Sequence, residues 1–423
     1  MSAAISGAMT ADTPDDAPDS TCAAPANDAR YQMRPGPLQL SALPPLTVYV
    51  HLPWCLRKCP YCDFNSHAQP SEGAPEQRYL DALIADLDAA LPLVWGRPVH
   101  SIFVGGGTPS LFSPDAIDRL LAALRARLNL LPACEITLEA NPGTFERDRF
   151  RAYRSAGVTR LSLGVQSFND AHLRAIGRVH DRAQAIAAAE EAARAFETFN
   201  LDLMYALPGQ TLEQLDADLH QALALGAPHL SVYHLTVEPN TAFARHPPPL
   251  PDDDTAYAML DHITERTTAA GLARYEVSAY ARTGHPCAHN LNYWQFGDYL
   301  GLGAGAHGKL SFAHRIVRQV RRRDPTRYMT QALHGQAVAR SEDVTLADLP
   351  FEFMLNALRL KNGFALQDFT DRTGLALTAI QHGLQAAERK GLLARDLHRA
   401  WPTARGFDFL SDLQTIFLPG RPS

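Results

Sequence analysis

From Leu46 onward, short runs of apolar and β-branched residues alternate with longer stretches in which apolar residues recur at helical spacing. The short runs predict strands, and the longer stretches predict the helices between them. The predicted strands are 47–51, 101–104, 136–139, 161–165, 201–205 and 230–235, and the main helices are 77–91, 114–128, 183–196 and 212–225. Ser113 and Thr211 stand just before two of these helices and are candidate N-caps.

Repeated strand–helix units of this kind require a parallel sheet with right-handed crossovers and helices on its outside. About eight such units close a TIM barrel. The six units found here therefore predict an α/β fold, an open (β/α)6 partial TIM-type barrel with a gap at its side. Such a gap would admit a large substrate.

Changes in composition divide the chain into four parts. Residues 1–44 lack apolar periodicity and predict a disordered leader outside the fold. Residues 45–245 hold the barrel, and residues 246–340 form a barrel extension that begins with a proline-rich run. Residues 341–423 predict a C-terminal winged-helix-like domain. The elements predicted beyond the barrel are helices at 257–270, 351–360, 366–373 and 378–390, and a strand at 275–281.

The charge balance narrows the class of function. With 39 Lys and Arg against 45 Asp and Glu, the formal net charge is −6, which argues against a nucleic-acid binder. No apolar run reaches the length of about 18 residues expected of a membrane span, although peripheral membrane association stays open. One stretch is basic, and its composition favours a solvated surface segment over a site for an anion; its members are Arg315, Arg318, Arg321, Arg322 and Arg323.

Three cysteines, Cys55, Cys59 and Cys62, follow the first predicted strand with the spacing C-x3-C-x2-C. Three thiolates from one loop can ligate three irons of a [4Fe-4S] cluster and leave the fourth iron open, the place where S-adenosylmethionine (SAM) would chelate. A structural zinc site with His67 as fourth ligand is the alternative, but zinc sites usually draw on two separated cysteine pairs. The spacing therefore favours the iron–sulfur cluster.

The chain contains six cysteines, and the remaining three are scattered rather than arranged as a disulfide framework. An oxygen-labile cluster also needs a reducing compartment. We therefore expect the protein in the cytoplasm.

Polar and glycine-rich segments follow several predicted strands. Gly106, Gly107 and Thr108 belong to a glycine loop directly after the second strand, on the same side of the barrel as the cysteines. Such a loop brings backbone groups close to a ligand, although a tight turn without a ligand has the same composition. Glu139, Gln166 and Asp202 stand at strand ends, and Arg178 lies in a loop; loop-organising contacts or a surface ion pair would explain them equally well.

These segments together resemble the radical SAM family that includes oxygen-independent coproporphyrinogen III oxidase, an enzyme of porphyrin biosynthesis. The resemblance covers roughly residues 46–420 and rests on the stretches 49–55, 59–62, 105–109, 164–168, 177–180 and 202–208. It implies that the three cysteines ligate a [4Fe-4S] cluster. It further implies contacts with the cluster or SAM for Tyr49, Tyr61, Gly106, Gly107, Thr108, Glu139, Gln166, Arg178 and Asp202.

Within this family the chain is more similar to the heme chaperones than to the oxidase. The oxidase pattern carries a further cysteine two positions after the triplet, where this chain has Phe64. The segment 289–294, His-Asn-Leu-Asn-Tyr-Trp, is of the heme chaperone type, in which this segment is proposed to bind heme. Imidazole is a common axial ligand of heme iron, so His289 is the candidate heme ligand; His285, Cys287 and His307 are competing candidates.

Three functions remain open on the sequence alone. The first is a heme chaperone that binds the cluster, SAM and heme and passes heme to an acceptor protein, with an electron donor for the cluster as a further partner. The second is the oxidase activity, a radical decarboxylation of porphyrinogen propionates. The third is a radical enzyme with another substrate. Phe64 and the segment 289–294 favour the first, and whether the protein is an enzyme stays open.

Overall fold

The computed structural model of the protein describes residues 29–143 and 146–420. Its first element is a short helix, α1 (Ala29–Gln32), and an extended stretch follows in which Leu38 and Leu40 are buried. The backbone N–H of Leu40 donates to the carbonyl of Ala313 across 2.9 Å. Residues 29–44, which the sequence assigned to the leader, therefore belong to the fold, and residues 1–28 lie outside the described residues.

The barrel is built from six parallel strands with helices outside, which confirms the predicted (β/α)6 architecture. Two short strands in the loop after β1 pair with each other, and a 3-10 turn, Pro109–Leu111, follows β4. The elements are β1 (Leu46–Leu52), β2 (Trp54–Cys55), β3 (His67–Ala68), α2 (Glu76–Val94), β4 (Pro98–Gly106), α3 (Pro114–Arg127), β5 (Asn129–Ala140), α4 (Glu146–Ala156), β6 (Arg160–Gln166), α5 (Asp170–Ala175), α6 (Arg182–Ala195), β7 (Thr198–Tyr205), α7 (Leu212–Ala224) and β8 (His229–His234).

Alternation along each strand separates the core from the barrel interior. In β1, Val48 and Val50 join the main hydrophobic cluster formed with the outer helices, whereas Tyr49 between them packs against Phe103 inside the barrel. Successive strand residues point to opposite faces, so the inward positions are free to carry polar groups. The predicted helix caps are present: the Ser113 hydroxyl accepts from Ala116 N–H, and the Thr211 hydroxyl accepts from Gln214 N–H.

The extension adds further helices and strands to the barrel. They are α8 (Ala242–Arg245), α9 (Asp253–Ala269), β9 (Ala273–Arg274), β10 (Ala279–Ala281), α10 (Ala288–Trp294), β11 (Asp298–Leu302), β12 (His307–Phe312), β13 (Arg315–Arg321), α11 (Pro325–Ala332) and β14 (Val338–Asp343). Its strands continue the barrel sheet at both edges, giving twelve strands in the order β14-β13-β12-β11-β1-β4-β5-β6-β7-β8-β10-β9. Strand β11 runs parallel to β1, while β12 to β14 are antiparallel, and β10 is antiparallel to β8.

The basic stretch at 315–323 is not the solvated surface segment that its composition predicted. It forms β13, which lies between β12 and β14, and Arg321 is completely buried. Its Nε lies 3.3 Å from Oδ1 of Asp86, a carboxylate that is also fully buried. Composition misled here because a partner 235 residues away compensates the buried charge.

The C-terminal unit combines helices with a three-stranded antiparallel sheet of order β15-β17-β16, a winged-helix-like arrangement. Phe353 lies at its centre, with ring centroids 5.1 Å from Phe364 and 5.2 Å from Phe369, and it also contacts Phe296 of the extension. The elements are α12 (Leu349–Ala357), β15 (Phe364–Ala365), α13 (Leu366–Thr373), α14 (Thr378–Arg389), β16 (Leu393–Arg395), β17 (Arg399–Pro402), α15 (Ala404–Asp408) and α16 (Leu410–Thr415). Across the described residues, no helix is both long and apolar enough to cross a bilayer.

Candidate functional site

The three cysteines lie on the loop that leaves β1 at the carboxyl end of the barrel. Strands β2 and β3 pair in parallel and hold the two ends of this loop together, with Cys55 opposite Ala68. The backbone N–H of Cys62 donates to the carbonyl of Cys59 across 3.1 Å, which turns the chain between them. All three side chains are half-buried and free of disulfides. The loop thus presents three thiols from one short segment.

Each thiol has a polar partner supplied by a different part of the fold. Thr108 Oγ1 donates to Cys55 Sγ across 3.6 Å, and Arg178 Nη1 donates to Cys59 Sγ across 3.8 Å. Ser66 Oγ lies 3.4 Å from Cys62 Sγ. Hydrogen bonds to the ligating sulfurs are one of the means by which proteins tune iron–sulfur clusters.

The alternative of a zinc site finds no preformed set of ligands. Among the described residues, no group of three or more His, Cys, Asp or Glu side chains is gathered closely enough to hold a single metal ion. His67, the candidate fourth ligand, directs Nε2 toward Asn65 Oδ1 at 3.4 Å. A [4Fe-4S] cluster, unlike a single zinc ion, does not need its ligands gathered around one metal, because each thiolate binds a separate iron. The spacing of the thiols on the cysteine loop is compatible with such a cluster.

The glycine loop after β4 packs directly against the cysteine loop. The backbone N–H of Gly107 donates to the carbonyl of Leu52, and that of Thr108 donates to the carbonyl of Trp54, each across 2.8 Å. A Cβ on Gly107 would lie 2.5 Å from the Trp54 carbonyl oxygen, so only glycine permits this approach. Gly106 also has φ of +119°, a conformation that favours glycine.

Two half-buried carboxylates lie on strands β5 and β7, which flank β6 in the sheet. Glu139 accepts from Gly106 N–H, and burial together with the nearby Asp202 raises the pKa of Glu139 to about 7. Burial also raises the pKa of Asp202, whose oxygens accept from Ser162 and Asn200. Carboxylates held in this environment gain when a cation such as an ammonium group is brought to them.

Gln166 occupies strained backbone at the end of β6. Its φ is +68°, a left-handed conformation that is uncommon for a residue other than glycine, and the pairing with β7 shifts register between Leu163 and Gln166. Strain and strand irregularities of this kind cluster at functional sites, where they redirect a side chain. Here the Gln166 side chain lines the barrel cavity.

Arg178 joins the cysteine loop to the ends of β5 and β6. Its Nη2 donates to Asn141 Oδ1 across 2.5 Å and to the Gly164 carbonyl across 2.7 Å, while its Nε is buried without a hydrogen bond within the described residues. Sequence reasoning treated a surface ion pair as the default for this residue. The structure instead places it beside Cys59.

One open cavity gathers most of the predicted site residues. Its wall also includes residues that sequence reasoning missed, notably Asn141, Met204 and Tyr233. Asn141 could have been found, because it directly follows the strand that ends with Glu139 and Ala140. The predicted residues on the wall are Cys55, Cys59, Tyr61, Cys62, Phe64, Gly106, Gly107, Thr108, Glu139, Gln166, Arg178 and Asp202.

Tyr49 and His289 do not line this cavity; they pack against each other inside the barrel. Their ring centroids lie 6.5 Å apart, and Phe103 is 5.2 Å from His289. His289 is only 4% exposed, and its Nδ1 lies 3.2 Å from Ser101 Oγ. Burial lowers the pKa of His289 to about 3, so the imidazole is neutral at physiological pH. In this structure His289 has the environment of a packed barrel residue.

The donor set of the cavity suits a cluster and SAM. Its wall carries three thiols, the carboxylates of Glu139 and Asp202, and the Arg178 guanidinium, whose buried Nε has no hydrogen bond among the described residues. Carboxylates match the cationic parts of SAM, and a guanidinium matches its carboxylate.

The comparisons with known proteins agree with this geometry. A model of the Radical SAM superfamily matches residues 49–222, and one of the HemN C-terminal domain matches residues 344–409. The heme chaperone HemW of Haemophilus influenzae is 46% identical over 381 residues, covering 89% of this chain and 98% of that protein. HemW of Escherichia coli is 47% identical over 378 residues, covering 89% and 99%. The chain belongs to the HemW family of radical SAM proteins.

A solved structure has a similar fold over most of this chain. The structure of coproporphyrinogen III oxidase, HemN, from Escherichia coli matches with a TM-score of 0.76 at 25% sequence identity, covering 89% of this chain and 90% of that one. Membership of the radical SAM family implies a [4Fe-4S] cluster and SAM as cofactors. Phe64 and the segment 289–294, which are of the HemW type, bear on whether heme is a further ligand.

Proposed function

We propose that this protein is a heme chaperone that binds a [4Fe-4S] cluster, SAM and heme and transfers heme to an acceptor protein. The observation that carries the proposal is Phe64 on the wall of the SAM cavity, at the position where the oxidase pattern has a further cysteine. The names of the HemW relatives support the same function. An apolar ring at this point cannot ligate a metal or transfer a proton, which disfavours the oxidase reaction.

The SAM site of the proposal consists of cavity residues. Cys55, Cys59 and Cys62 would ligate three irons, and the cluster with SAM would supply one-electron chemistry when bound. The backbone of Gly106 and Gly107 and the Thr108 hydroxyl would hold SAM beside the cysteine loop. Glu139 and Asp202 would accept from its polar hydrogens, and Gln166 and Arg178 would orient it. Tyr61 lies on the cavity wall, and Tyr49 would support the site from inside the barrel.

Heme ligation by His289 remains a prediction. The buried position of this residue means that ligation requires a conformational change. Because the imidazole is buried against Ser101, helix α10 would have to shift before heme iron could reach it. Cys287 is buried with Sγ 2.9 Å from Asn290 Oδ1, and His285 Nδ1 lies 2.9 Å from Thr198 Oγ1. Of the four candidates, His307 is the exposed one. It is therefore the strongest competitor.

An electron donor for the cluster is a further partner in the proposal. A groove reaches Cys55 and Cys59 beside the SAM cavity, and its lining includes Arg57, Arg149 and Arg178. Within the described residues, no carboxylate lines it. Charge complementarity would favour a donor protein with an acidic surface. Donor-driven cluster reduction that slows as salt rises would support this route.

We place the protein in the cytoplasm, because free thiols and an oxygen-labile cluster require reducing conditions.

The decisive experiment separates the chaperone from the oxidase. Anaerobically reconstituted protein is incubated with SAM, a reductant and coproporphyrinogen III, and heme is titrated in parallel. Tight heme binding without a vinyl product is expected. Formation of vinyl product with stoichiometric 5′-deoxyadenosine would establish the oxidase despite Phe64.

A further inference from the structure

A small polar cluster closes the junction between the barrel and the C-terminal unit, and it contains Glu276, Tyr293, Trp294 and Arg359. Arg359 follows helix α12, and its guanidinium lies 4.2 Å from the centre of the Trp294 ring. The Trp294 ring lies 5.0 Å from that of Tyr293. Two backbone contacts fix this junction. Glu276 forms an isolated β-bridge with Leu360, and the backbone N–H of Lys361 donates to the Tyr275 carbonyl. Both elements that carry the cluster are thus held in place.

The polar atoms of this cluster are incompletely satisfied. Trp294 is 2% exposed, and its Nε1 has no hydrogen bond within the described residues; the same holds for Arg359 Nε and Glu276 Oε2. Among the described residues, the only ion pair of Arg359 is with Glu276. The Nη2–Oε2 distance is 3.6 Å, which is longer than a hydrogen bond. Buried polar groups normally have partners, so the two donors, Trp294 Nε1 and Arg359 Nε, are open to an acceptor on a ligand.

A neighbouring arginine shows what a satisfied guanidinium looks like in this fold. Arg318 donates through Nε and Nη2 to Glu352 Oε2 and through Nη1 to the Tyr299 hydroxyl, the last across 2.6 Å. Arg318 therefore has no donor edge left for a ligand. In Arg359, by contrast, Nε has no hydrogen bond within the described residues and can still donate to a ligand. The Arg359 side chain is 19% exposed, so a ligand can reach it.

The cluster also lies close to the cavity. The Tyr233 hydroxyl is among the groups that interact electrostatically with Arg359, and Tyr233 lines the cavity that contains the cysteines. Burial lowers the pKa of Arg359, and the neighbouring Glu276 carboxylate opposes this shift. Flat rings next to a guanidinium whose Nε has no hydrogen bond within the described residues suit a planar ligand that carries a carboxylate at its edge.

We infer that Arg359 binds a propionate carboxylate of the tetrapyrrole, with Tyr293 and Trp294 beside the macrocycle. This assignment rests on the proposed heme function and adds to it the group that orients heme. It is independent of which residue ligates the iron, because the guanidinium recognises the ligand's edge and the axial ligand recognises its centre.

The test changes the carboxylate on the ligand and the arginine on the protein. Heme and heme dimethyl ester, which lacks both carboxylates, are titrated into the wild type, Arg359→Gln, Arg359→Lys and the control Arg372→Gln. Arg372 also lies at the junction, where it donates to the Gln295 carbonyl. The wild type should prefer heme over the ester by about tenfold to a hundredfold, the range of a charge-assisted hydrogen bond. Arg359→Gln should abolish the preference, and Arg359→Lys should keep part of it.

The outcomes separate this assignment from the proposed function. If Arg359→Gln weakens both porphyrins equally, the residue only stabilises the junction and the assignment is wrong. A wild type that binds the two porphyrins equally overturns it without any variant, so a misfolded variant does not block the test. If the wild type binds neither porphyrin, the heme function itself fails, and the assignment falls with it.

Discussion

The backbone N–H of Gly106 donates a hydrogen bond to Oε2 of Glu139 across 3.0 Å, joining the ends of β4 and β5 at the wall of the cavity that contains the three cysteines. This bond fixes a half-buried carboxylate beside the glycine loop. It does not satisfy the carboxylate fully, because burial raises the Glu139 pKa from 4.5 to about 7. Glu139 therefore changes charge near neutral pH, in the place where the amino group of SAM is expected.

SAM affinity should consequently rise with pH between about 6 and 7.5, since the ionised Glu139 attracts an ammonium group; free amino groups themselves titrate only near about 7.7–8.0. Glu139→Gln should weaken binding and remove this pH dependence, which isothermal titration at several pH values would measure. An unchanged pH profile in the variant would contradict the role. Without SAM the sign is opposite: the folded pKa is the higher one, so stability falls as pH rises from about 4.5 to about 7.

Changing Cys59 to alanine should abolish the cluster, because each of the three thiolates is expected to ligate a separate iron. Iron and sulfide contents and the visible spectrum after anaerobic reconstitution measure this. Cys134→Ala is the matched control, since Cys134 is a buried free cysteine in β5 that does not line the cavity. Wild-type iron and sulfide in the Cys59→Ala protein would show that the ligand assignment is wrong.

Ser66→Ala should make the cluster harder to reduce. Ser66 Oγ lies 3.4 Å from Cys62 Sγ, and a hydrogen bond to a ligating sulfur stabilises the reduced, more negative cluster. An electron paramagnetic resonance titration of the reconstituted protein would give the midpoint potential, which should become more negative. Ser341→Ala, on the distant strand β14, should leave it unchanged. Equal potentials in the wild type and Ser66→Ala would exclude the contact from tuning the cluster.

Arg321→Ala should lower the free energy of unfolding by about 3–5 kcal/mol, because it leaves the Asp86 carboxylate buried without its counter-charge. Asp86 also accepts from the Tyr328 hydroxyl across 2.9 Å, so the loss affects a shared network. Urea unfolding measures the change. Arg340→Ala, which removes an exposed ion pair with Glu342, should cost at most about 1 kcal/mol. Similar costs for the two variants would argue against this account.

His289→Ala should weaken heme binding if α10 moves to present the imidazole. The Soret spectrum should shift with the loss of a nitrogen ligand, and added imidazole should restore it. His307→Ala serves as the parallel test of the exposed competitor. An unchanged affinity and Soret spectrum in His289→Ala would remove this residue as the ligand and leave the packing role seen against Ser101.

The local features of the site could be predicted from the sequence because they depend on neighbours along the chain. These features are the C-x3-C-x2-C loop, the glycine loop, and Glu139 and Asp202 on the barrel strands. All lie within or next to regular elements, and parallel strands bring their carboxyl ends to one side. Asn141 was missed although it stands two residues after Glu139. Its function depends on Arg178, which is 37 residues away.

The sequence by itself determined the barrel and the cluster loop, since hydrophobic periodicity and short-range spacing encode these directly, and its resemblance to the radical SAM family implied most of the cavity-wall residues. Tertiary structure alone decided the rest, where charge and burial are settled between distant segments. It buried Arg321 against Asp86, drew Leu38 and Leu40 into the fold, placed His289 inside the barrel, and set Arg359 over Trp294. The burial of the polar residues among these cannot be predicted from composition, because a polar residue can be buried only where the folded chain supplies compensating contacts.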